Sequence, residues 1–544
     1  MDSVAGPGLA TAASKHAPVE RRRRLSESVL WTGMRDFYCR EGVLAWSEHA
    51  IPHHITSCPF TADAYARTAF AYLRDCLAAA REGGPGLDPA RPVHTIELGA
   101  GPGRFGYLFL RRLLELRRDS GLDLPPVRHV LTDMAERNVE AWLANPWLRP
   151  LFDDGVLDVA RFDLQSDREI ELRCSGERLA PGSLANPLVA IANYVFDSVP
   201  QDAFLVERGE LYETLVTTTP DRGAGLLGAR IDYHHQPARS PYYGEPHRDA
   251  ILELYRRRLP RVTFGFPVAA LACIDGLLDL SGGRALFLSG DKGMSRDDAF
   301  LTETAPLGLA AHAPGCFSVS VDYQILGEYC RRLGGLALHP SHSHESLTVS
   351  AFLFGDAPGR FSATRGVYAE AIDHFGPDDF FVVASGLDAQ AESFSNGQIL
   401  AMLRFSKWDH QLFLRFLPAL KARAAGLSPD ERSRLRDAVH AVWDGFLPIS
   451  AAEDPAFQFG TFLMELGFDR DAAVFLRCSA EHFGLEAGNA YNLALCLWRI
   501  GEAEEAREWA ERAAGLDPQL DEAKALLIEI ASAAGRRPVS PGQR

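Results

Sequence analysis

Ten residues constrain this chain more than any others: Glu97-Leu-Gly99-Ala-Gly101-Pro-Gly103-Arg-Phe-Gly106. A short apolar run over 93–98 precedes them and an amphipathic run over 104–118 follows, so the glycines lie between a strand and a helix. In that setting glycines permit a tight turn and let a ligand reach the backbone, while the helix start offers unpaired N–H groups. A chain built on this unit belongs among the parallel α/β folds.

The loop fits two ligands. Read from Gly101, Gly-Pro-Gly-Arg-Phe-Gly satisfies the GxGxxG pattern of dinucleotide sites. Read from Glu97, the run is acidic-x-Gly-x-Gly-x-Gly, the form that receives S-adenosylmethionine. A carboxylate suits a ligand that is cationic at sulfonium and ammonium and repels a pyrophosphate, which favours the second reading; a dehydrogenase stays as the alternative. Asp133, at the end of the next strand, suits the ribose hydroxyls of either cofactor. Asp163 closes a third strand where an adenine edge is read, or caps a turn. A fourth strand ends in Asn193-Tyr194-Val-Phe196-Asp197, at the strand edge where doubly wound sheets bind ligands; Asn193 and Asp197 either orient a methyl acceptor or cap the strand end.

The pattern around the loop predicts strands at 93–98, 128–132, 157–162, 188–193 and 284–288, with helices at 104–118 and 134–143. A helix at 322–334 and a hairpin of 336–339 with 347–354 follow. Such alternation implies a doubly wound, Rossmann-like sheet covered on both faces. Ahead of it, 25–50 reads as helical, 51–59 as extended and 61–81 as a helix. Beyond 385 the strands stop. Residues 398–425 and 429–446 are amphipathic, and 453–486 matches 487–520 at a 34-residue period. Gly460, Gly467 and Ala472 fall opposite Ala494, Gly501 and Ala506, a spacing similar to the tetratricopeptide repeat, whose small residues let paired helices approach closely; two ordinary helical hairpins are the plainer alternative.

Four segments together resemble the MidA-like class I methyltransferases, the family that includes a mitochondrial complex I assembly factor that dimethylates an arginine. Ile55-Thr-Ser-Cys-Pro59 is similar to the family's Phe-Ile-Thr-x-Pro, and Glu97–Gly103 resembles its Glu-x-Gly-Pro-Gly-x-Gly. Ala192-Asn-Tyr-Val-Phe-Asp-Ser-Val-Pro200 resembles Ala-Asn-Glu-Phe-Phe-Asp-Ala-Leu-Pro. Leu286–Gly293 with Val319–Tyr323 parallels its Asp-Tyr-Gly strand end and Val-Asp-Phe segment. The match spans residues 35–355 and excludes the repeats. It implies a class I methyltransferase fold using S-adenosylmethionine: Glu97, Gly99, Gly101 and Gly103 holding the methionine part, Asp133 the ribose and Asp163 the adenine, with Asn193 and Asp197 at the acceptor. Tyr194 stands where the family has Glu, and Lys292 where it has Tyr. A guanidinium, with its pKa above ~12, needs carboxylates to hold it, so these changes weaken the case for arginine as acceptor.

Composition narrows the function. A net charge of −16 argues against coating nucleic acid, which requires lysine and arginine on phosphates. No apolar run reaches the ~18 residues of a membrane span. Nine cysteines lie singly without a CxxC, which argues against both a disulfide scaffold and a zinc ribbon and fits a reducing, cytoplasmic setting. His339, His342, His344 and Glu345 read as a solvated loop, and no metal site is expected. Arg21–Arg24 lies in a disordered basic arm over 1–30. The expected organisation continues with a helical segment at 31–90, the methyltransferase domain at 91–385, a connector at 386–450, repeats at 451–536 and a tail at 537–544. The expected function is methylation of a protein side-chain nitrogen, with the repeats recruiting substrate or partner. A catalytically inactive scaffold and a small-molecule methyltransferase are the alternatives.

Overall fold

Val93–Leu98 is buried at all six positions, as a strand covered on both faces must be, and it is an interior strand of the main sheet. The computed structural model describes residues 17–47, 54–221, 225–296, 307, 309–312, 316–355, 358–449 and 454–534. The chain falls into two units, Met1–Asp379 and Phe380–Arg544.

The first unit opens with β1 (Glu20–Arg24), α1 (Val29–Glu41) and α2 (Pro59–Arg81), then β2 (Val93–Leu98), α3 (Arg104–Ser120), β3 (Val127–Asp133), α4 (Glu136–Ala144), β4 (Leu157–Arg161) and β5 (Leu188–Asn193). An antiparallel portion follows: β6 (Asp202–Glu207), β7 (Glu210–Asp221), β8 (Gly225–Pro237), α5 (Pro246–Arg258), β9 (Arg261–Phe266) and α6 (Val268–Leu280). The unit returns to the main sheet with β10 (Ala285–Asp291), α7 (Tyr323–Arg332), β11 (Leu336–Leu338) and β12 (Thr348–Phe354).

The main sheet has seven strands in the order β11-β12-β10-β5-β2-β3-β4. Strands β10, β5, β2, β3 and β4 run parallel, and β12 lies antiparallel to both β10 and β11. From β2 the chain proceeds through β3 and β4 to one side and then crosses to β5 on the other. The switch point, where such sheets bind ligands, therefore falls between β2 and β5. The register sets Gly290 of β10 beside Asn193 of β5, so both strands deliver their last residues to the same edge.

Two expectations fail here. Residues 20–24 are not part of a disordered arm: β1 pairs antiparallel with β7, Glu20 opposite Thr218, and Arg24 Nε donates to Glu213 at 3.0 Å. Its partners lie almost two hundred positions away, so no local periodicity announces the strand. The segment expected to be extended over 51–59 contains a helical turn, His54–Ser57, anchored where the Thr61 hydroxyl donates to the Ile55 carbonyl at 2.6 Å; 51–53 lie outside the described residues, as do 1–16 of the arm and the tail at 537–544. The stretch 200–280, which gives no clear sequence pattern, supplies four strands of the five-stranded antiparallel sheet β1-β7-β6-β9 with β8 on β7. Leu30, Trp31, Met34 and Phe37 of α1 pack with Ala203 and Val216 of that sheet.

The second unit is helical: α8 (Asn396–Phe405), α9 (His410–Arg423), α10 (Pro429–Asp444), α11 (Pro455–Leu466), α12 (Asp469–His482), α13 (Ala487–Arg499), α14 (Ala503–Leu516) and α15 (Asp521–Ala534). Capping boxes at Ser395 and Ser428 start α8 and α10, each satisfying two otherwise orphaned N–H groups. From α11 onward each helix packs on its predecessor. A Cβ at Gly460 would lie 2.7 Å from Leu476 Cγ, so only glycine lets α11 and α12 come this close. Gly467 and Gly501, 34 residues apart, end or follow their helices with left-handed φ of 85° and 89°.

Candidate active site

The glycine spacing has a conformational cause. Gly99, Gly101 and Gly103 have φ of 57°, 52° and 76°, a region L side chains rarely enter. Space adds a second constraint: a Cβ on Gly101 would meet the Trp46 ring at 3.0 Å. From below, Trp142 Nε1 donates to the Gly101 carbonyl at 3.0 Å. The loop thus lies between two tryptophans, with Gly103 as the cap from which α3 starts.

Above the switch point lies a cleft with about 1130 Å³ of empty space, its open mouth included. Glu97, Gly99, Gly101, Asp133, Asp163 and Asn193 all border it; Gly103 and Asp197 do not. Trp31, Tyr38 and Trp46 line it from the N-terminal helices, and Tyr38 and Trp46 stack with centroids 5.7 Å apart.

Three carboxyls converge there in different states. Glu97 is buried, with Oε2 lacking any hydrogen-bond partner and 3.5 Å from His129 Nε2. Burial, reinforced by Asp133, holds its pKa well above the ordinary carboxylate range. Burial also lowers the His129 pKa to about 3, so that ring is neutral and does not balance Glu97. The Asp133 carboxylate accepts from Gly101 N at 3.2 Å and Ala135 N at 2.9 Å, tying β3 to the glycine loop; its pKa is raised by burial. Asp163 is committed to Arg35 of α1, which donates to Oδ2, and to its own turn through Gln165 N at 3.1 Å. Burial alone would raise the Asp163 pKa, but the Arg35 bond and charge outweigh it and hold the group below 3.8.

Because the folded-state pKa of Asp163 is depressed, its ionised form favours folding at pH above the unfolded value and loses that contribution as pH falls through the folded one. Arg35→Ala is therefore expected to be less stable than the parent near pH 7, with the difference shrinking below pH 3.8. Urea midpoints across that range check it.

The end of β5 carries a backbone anomaly. Tyr194 has φ of +53°, uncommon for a bulky residue and a form of stored strain that clusters at ligand sites. Its backbone N donates to Gly290 O at 2.9 Å. The neighbouring Asn193 Oδ1 accepts from the Tyr65 hydroxyl at 2.7 Å, while Nδ2 has no partner. Gly290 makes this possible, since a Cβ there would lie 2.5 Å from the Tyr65 oxygen.

Asp197 borders a second cavity, with about 440 Å³ of empty space including its open mouth, lined also by Tyr38, Tyr194, Ser198, Lys292, His312 and Cys316. Tyr38, Tyr194 and Ser198 border both spaces. Asp197 is buried and hydrogen-bonded to Asp291, whose Oδ2 accepts from Phe196 N at 2.9 Å and Asp197 N at 3.1 Å. Burial raises both pKa values, and the two charges oppose each other. Two such carboxyls cannot both ionise easily, so the pair retains a proton. The sequence reading assigned no role to Asp291, Arg35 or Tyr65. Asp291 alone had a signal: it lies in the Leu286–Gly293 segment that parallels the family's Asp-Tyr-Gly strand end.

No protein-family model matches this chain, and no curated protein matches it. Solved structures show a weak likeness. A COG1565 superfamily protein from Burkholderia thailandensis is 14% identical, with 62% of this chain and 95% of that one covered and a TM-score of 0.36. A second COG1565 member from the same organism, crystallised with S-adenosyl-homocysteine, is 14% identical over 61% and 94% of the two chains, with a TM-score of 0.34. An O-methyltransferase family protein from Burkholderia thailandensis is 11% identical over 60% and 73%, with a TM-score of 0.25. Scores this low do not establish a shared fold, and function rests on the site itself.

Proposed function

We propose that the chain is an S-adenosylmethionine-dependent methyltransferase of the class I type. The observation that carries this reading is the cleft at the switch point, where the left-handed Gly99 and Gly101 and the carboxyls of Glu97 and Asp133 face one space. The donor set suits the cofactor: a glycine cradle leaves backbone N–H groups accessible, and the orphaned Glu97 Oε2 is an acceptor for an ammonium. Glu97 and the loop would hold the amino-acid end and Asp133 the ribose. Asp163 stands by the adenine side, oriented by Arg35. A dinucleotide fits poorly, because its pyrophosphate would face these carboxyls.

The cofactor supplies an electrophilic methyl group for in-line displacement; the protein positions the acceptor and takes its proton. Asn193, fixed by Tyr65 through Oδ1, has Nδ2–H free to orient an acceptor. The Asp197–Asp291 pair, holding one proton, has a remaining carboxylate site for the proton the acceptor loses. Tyr194 separates the two spaces and borders both, so the acceptor would enter from the cavity whose rim carries the exposed Lys292 and His312.

The acceptor we infer is a side-chain nitrogen on a protein, recruited by the helical pairs α11–α14, whose 34-residue spacing and close approach at Gly460 support a tetratricopeptide-like reading. The lack of a described helix long and apolar enough to cross a membrane is compatible with work in the cytoplasm. A scaffold without catalysis is favoured by one observation, the commitment of Asp163 to Arg35. Incubation of the full chain with methyl-labelled S-adenosylmethionine and cell extract separates these readings. Label in the protein fraction is the expected result. Label confined to small molecules contradicts the acceptor assignment, and cofactor binding without any transfer supports the scaffold.

A further inference from the structure

The His-Ser-His loop after β11 does not face solvent alone. His342 Nε2 and His344 Nε2 are 3.1 Å apart, and His342 Nε2 is 3.7 Å from Asp379 Oδ1; the three ligand atoms lie within 4.8 Å of one another. Asp379 sits in the first turn of the helix Pro377–Ser385, a position that nothing in the sequence connects to the histidines.

Hydrogen bonding determines what this cluster presents. His344 Nδ1 faces the Leu347 carbonyl at 3.0 Å; a carbonyl only accepts, so Nδ1 carries the proton and neutral His344 turns its Nε2 lone pair inward. If His342 is neutral and donates through Nε2, its bare Nδ1 faces Asp373 Oδ1 at 3.8 Å, lone pair against carboxylate. The opposite tautomer directs Nδ1–H at Asp373, but then two Nε2 lone pairs and a carboxylate oxygen meet with no proton among them. A cation at that point resolves the arrangement.

We propose that His342, His344 and Asp379 bind a divalent transition-metal ion of the zinc type. Two nitrogens at ~2.0–2.1 Å from a tetrahedral ion are about 3.3 Å apart, close to the separation found. The supporting bond is that of protein metal centres, His344 Nδ1–H to a backbone carbonyl, and the Asp373 carboxylate lies 3.8 Å from His342 Nδ1 as a charge contact. Asp379 is also oriented, since Gly376 N donates to its Oδ2 at 3.0 Å and leaves Oδ1 turned to the histidines. Two imidazoles and one carboxylate suit zinc rather than calcium or magnesium, which prefer all-oxygen sets. The loop is already fastened to the same helix, because Asp378 accepts from the backbone N of Glu345, Ser346 and Leu347 at 2.8–2.9 Å; an ion would complete that attachment. The same loop meets the cleft through the Tyr194 hydroxyl, 3.5 Å from Ser346 O. His339 stands apart, bonded to Ser350 at 3.0 Å.

The test is calorimetric titration of the full, untagged chain with Zn²⁺, alongside Co²⁺ titration followed by visible absorption. A single saturable ion, tetrahedral-type Co²⁺ bands and a higher melting temperature with Zn²⁺ are expected. Binding should weaken by at least about tenfold in His344→Gln and in Asp379→Asn, with melting of the metal-free variants checking their fold. Variants that titrate like the parent, or a parent that binds nothing, overturn the proposal; in the latter case a proton on His342 is the occupant. None of the three residues lines the cofactor cleft, so cofactor binding in these variants is expected to match the parent.

Discussion

Gly101→Arg is expected to lose S-adenosylmethionine binding by about a thousandfold or more while the chain stays folded. The size follows from two independent penalties at one position. Gly101 has φ of 52°, where a residue with a Cβ is strained by ~1–2 kcal/mol. The added side chain also meets Trp46 at 3.0 Å from its first carbon and must turn into the cleft, occupying the space between the loop and Asp133. The stability loss is confined to an edge loop rather than a strand, so the melting temperature should fall by only a few degrees. Equilibrium dialysis with labelled cofactor, with Gly101→Ala as the intermediate case, checks the order parent, alanine, arginine. An arginine variant that binds normally would place the cofactor elsewhere.

Asp197→Asn is expected to lower the methyl-transfer rate by ~10²–10⁴, the range for removal of a positioned acid–base group, with cofactor affinity unchanged. The split between rate and affinity follows from geometry, because Asp197 lines the acceptor cavity and not the cofactor cleft. Asparagine can keep the hydrogen bond to Asp291 but cannot take up a proton. In the parent, both carboxyls of the pair have raised pKa values. The proton-accepting form therefore prevails at higher pH, and the rate should fall as pH drops through the raised value, well before an ordinary aspartate would protonate. The variant should lack that acidic limb. Rate–pH profiles of the two proteins, at saturating cofactor, provide the comparison. An affinity loss equal to the rate loss would instead place Asp197 against the cofactor.

The legible parts of this protein were those governed by local periodicity. The unit β2–loop–α3 was readable because six buried residues, three obligatory glycines and a helix follow one another without interruption. The strand ending at Asn193 and the hairpin of β11 with β12 were readable for the same reason. Strand β1 was not: its hydrogen bonds come from β7, and four consecutive arginines give no apolar alternation. The paired strands over 202–237 were not legible because their aliphatic residues are bunched, as at Leu205-Val206, Leu215-Val216 and Leu226-Leu227, rather than alternating with polar ones. At the site, residue identity suggested Asp163 and Asp197 but could not show their partners. Arg35 reaches Asp163 across 128 positions, and Asp291 reaches the turn after Asn193 across 95. Tyr194 departs in type from a family pattern, but its left-handed backbone, with its N–H on the Gly290 carbonyl of the adjoining strand, is encoded by no spacing.

The reading stands or falls on which cofactor the cleft accepts. Calorimetric titration of the full chain with S-adenosylmethionine, with NADH in a parallel titration, addresses it directly. The account predicts saturable binding of one S-adenosylmethionine per chain, competed by S-adenosyl-homocysteine, and no heat of binding with NADH. Binding of NADH in preference to S-adenosylmethionine, or of neither, would contradict it.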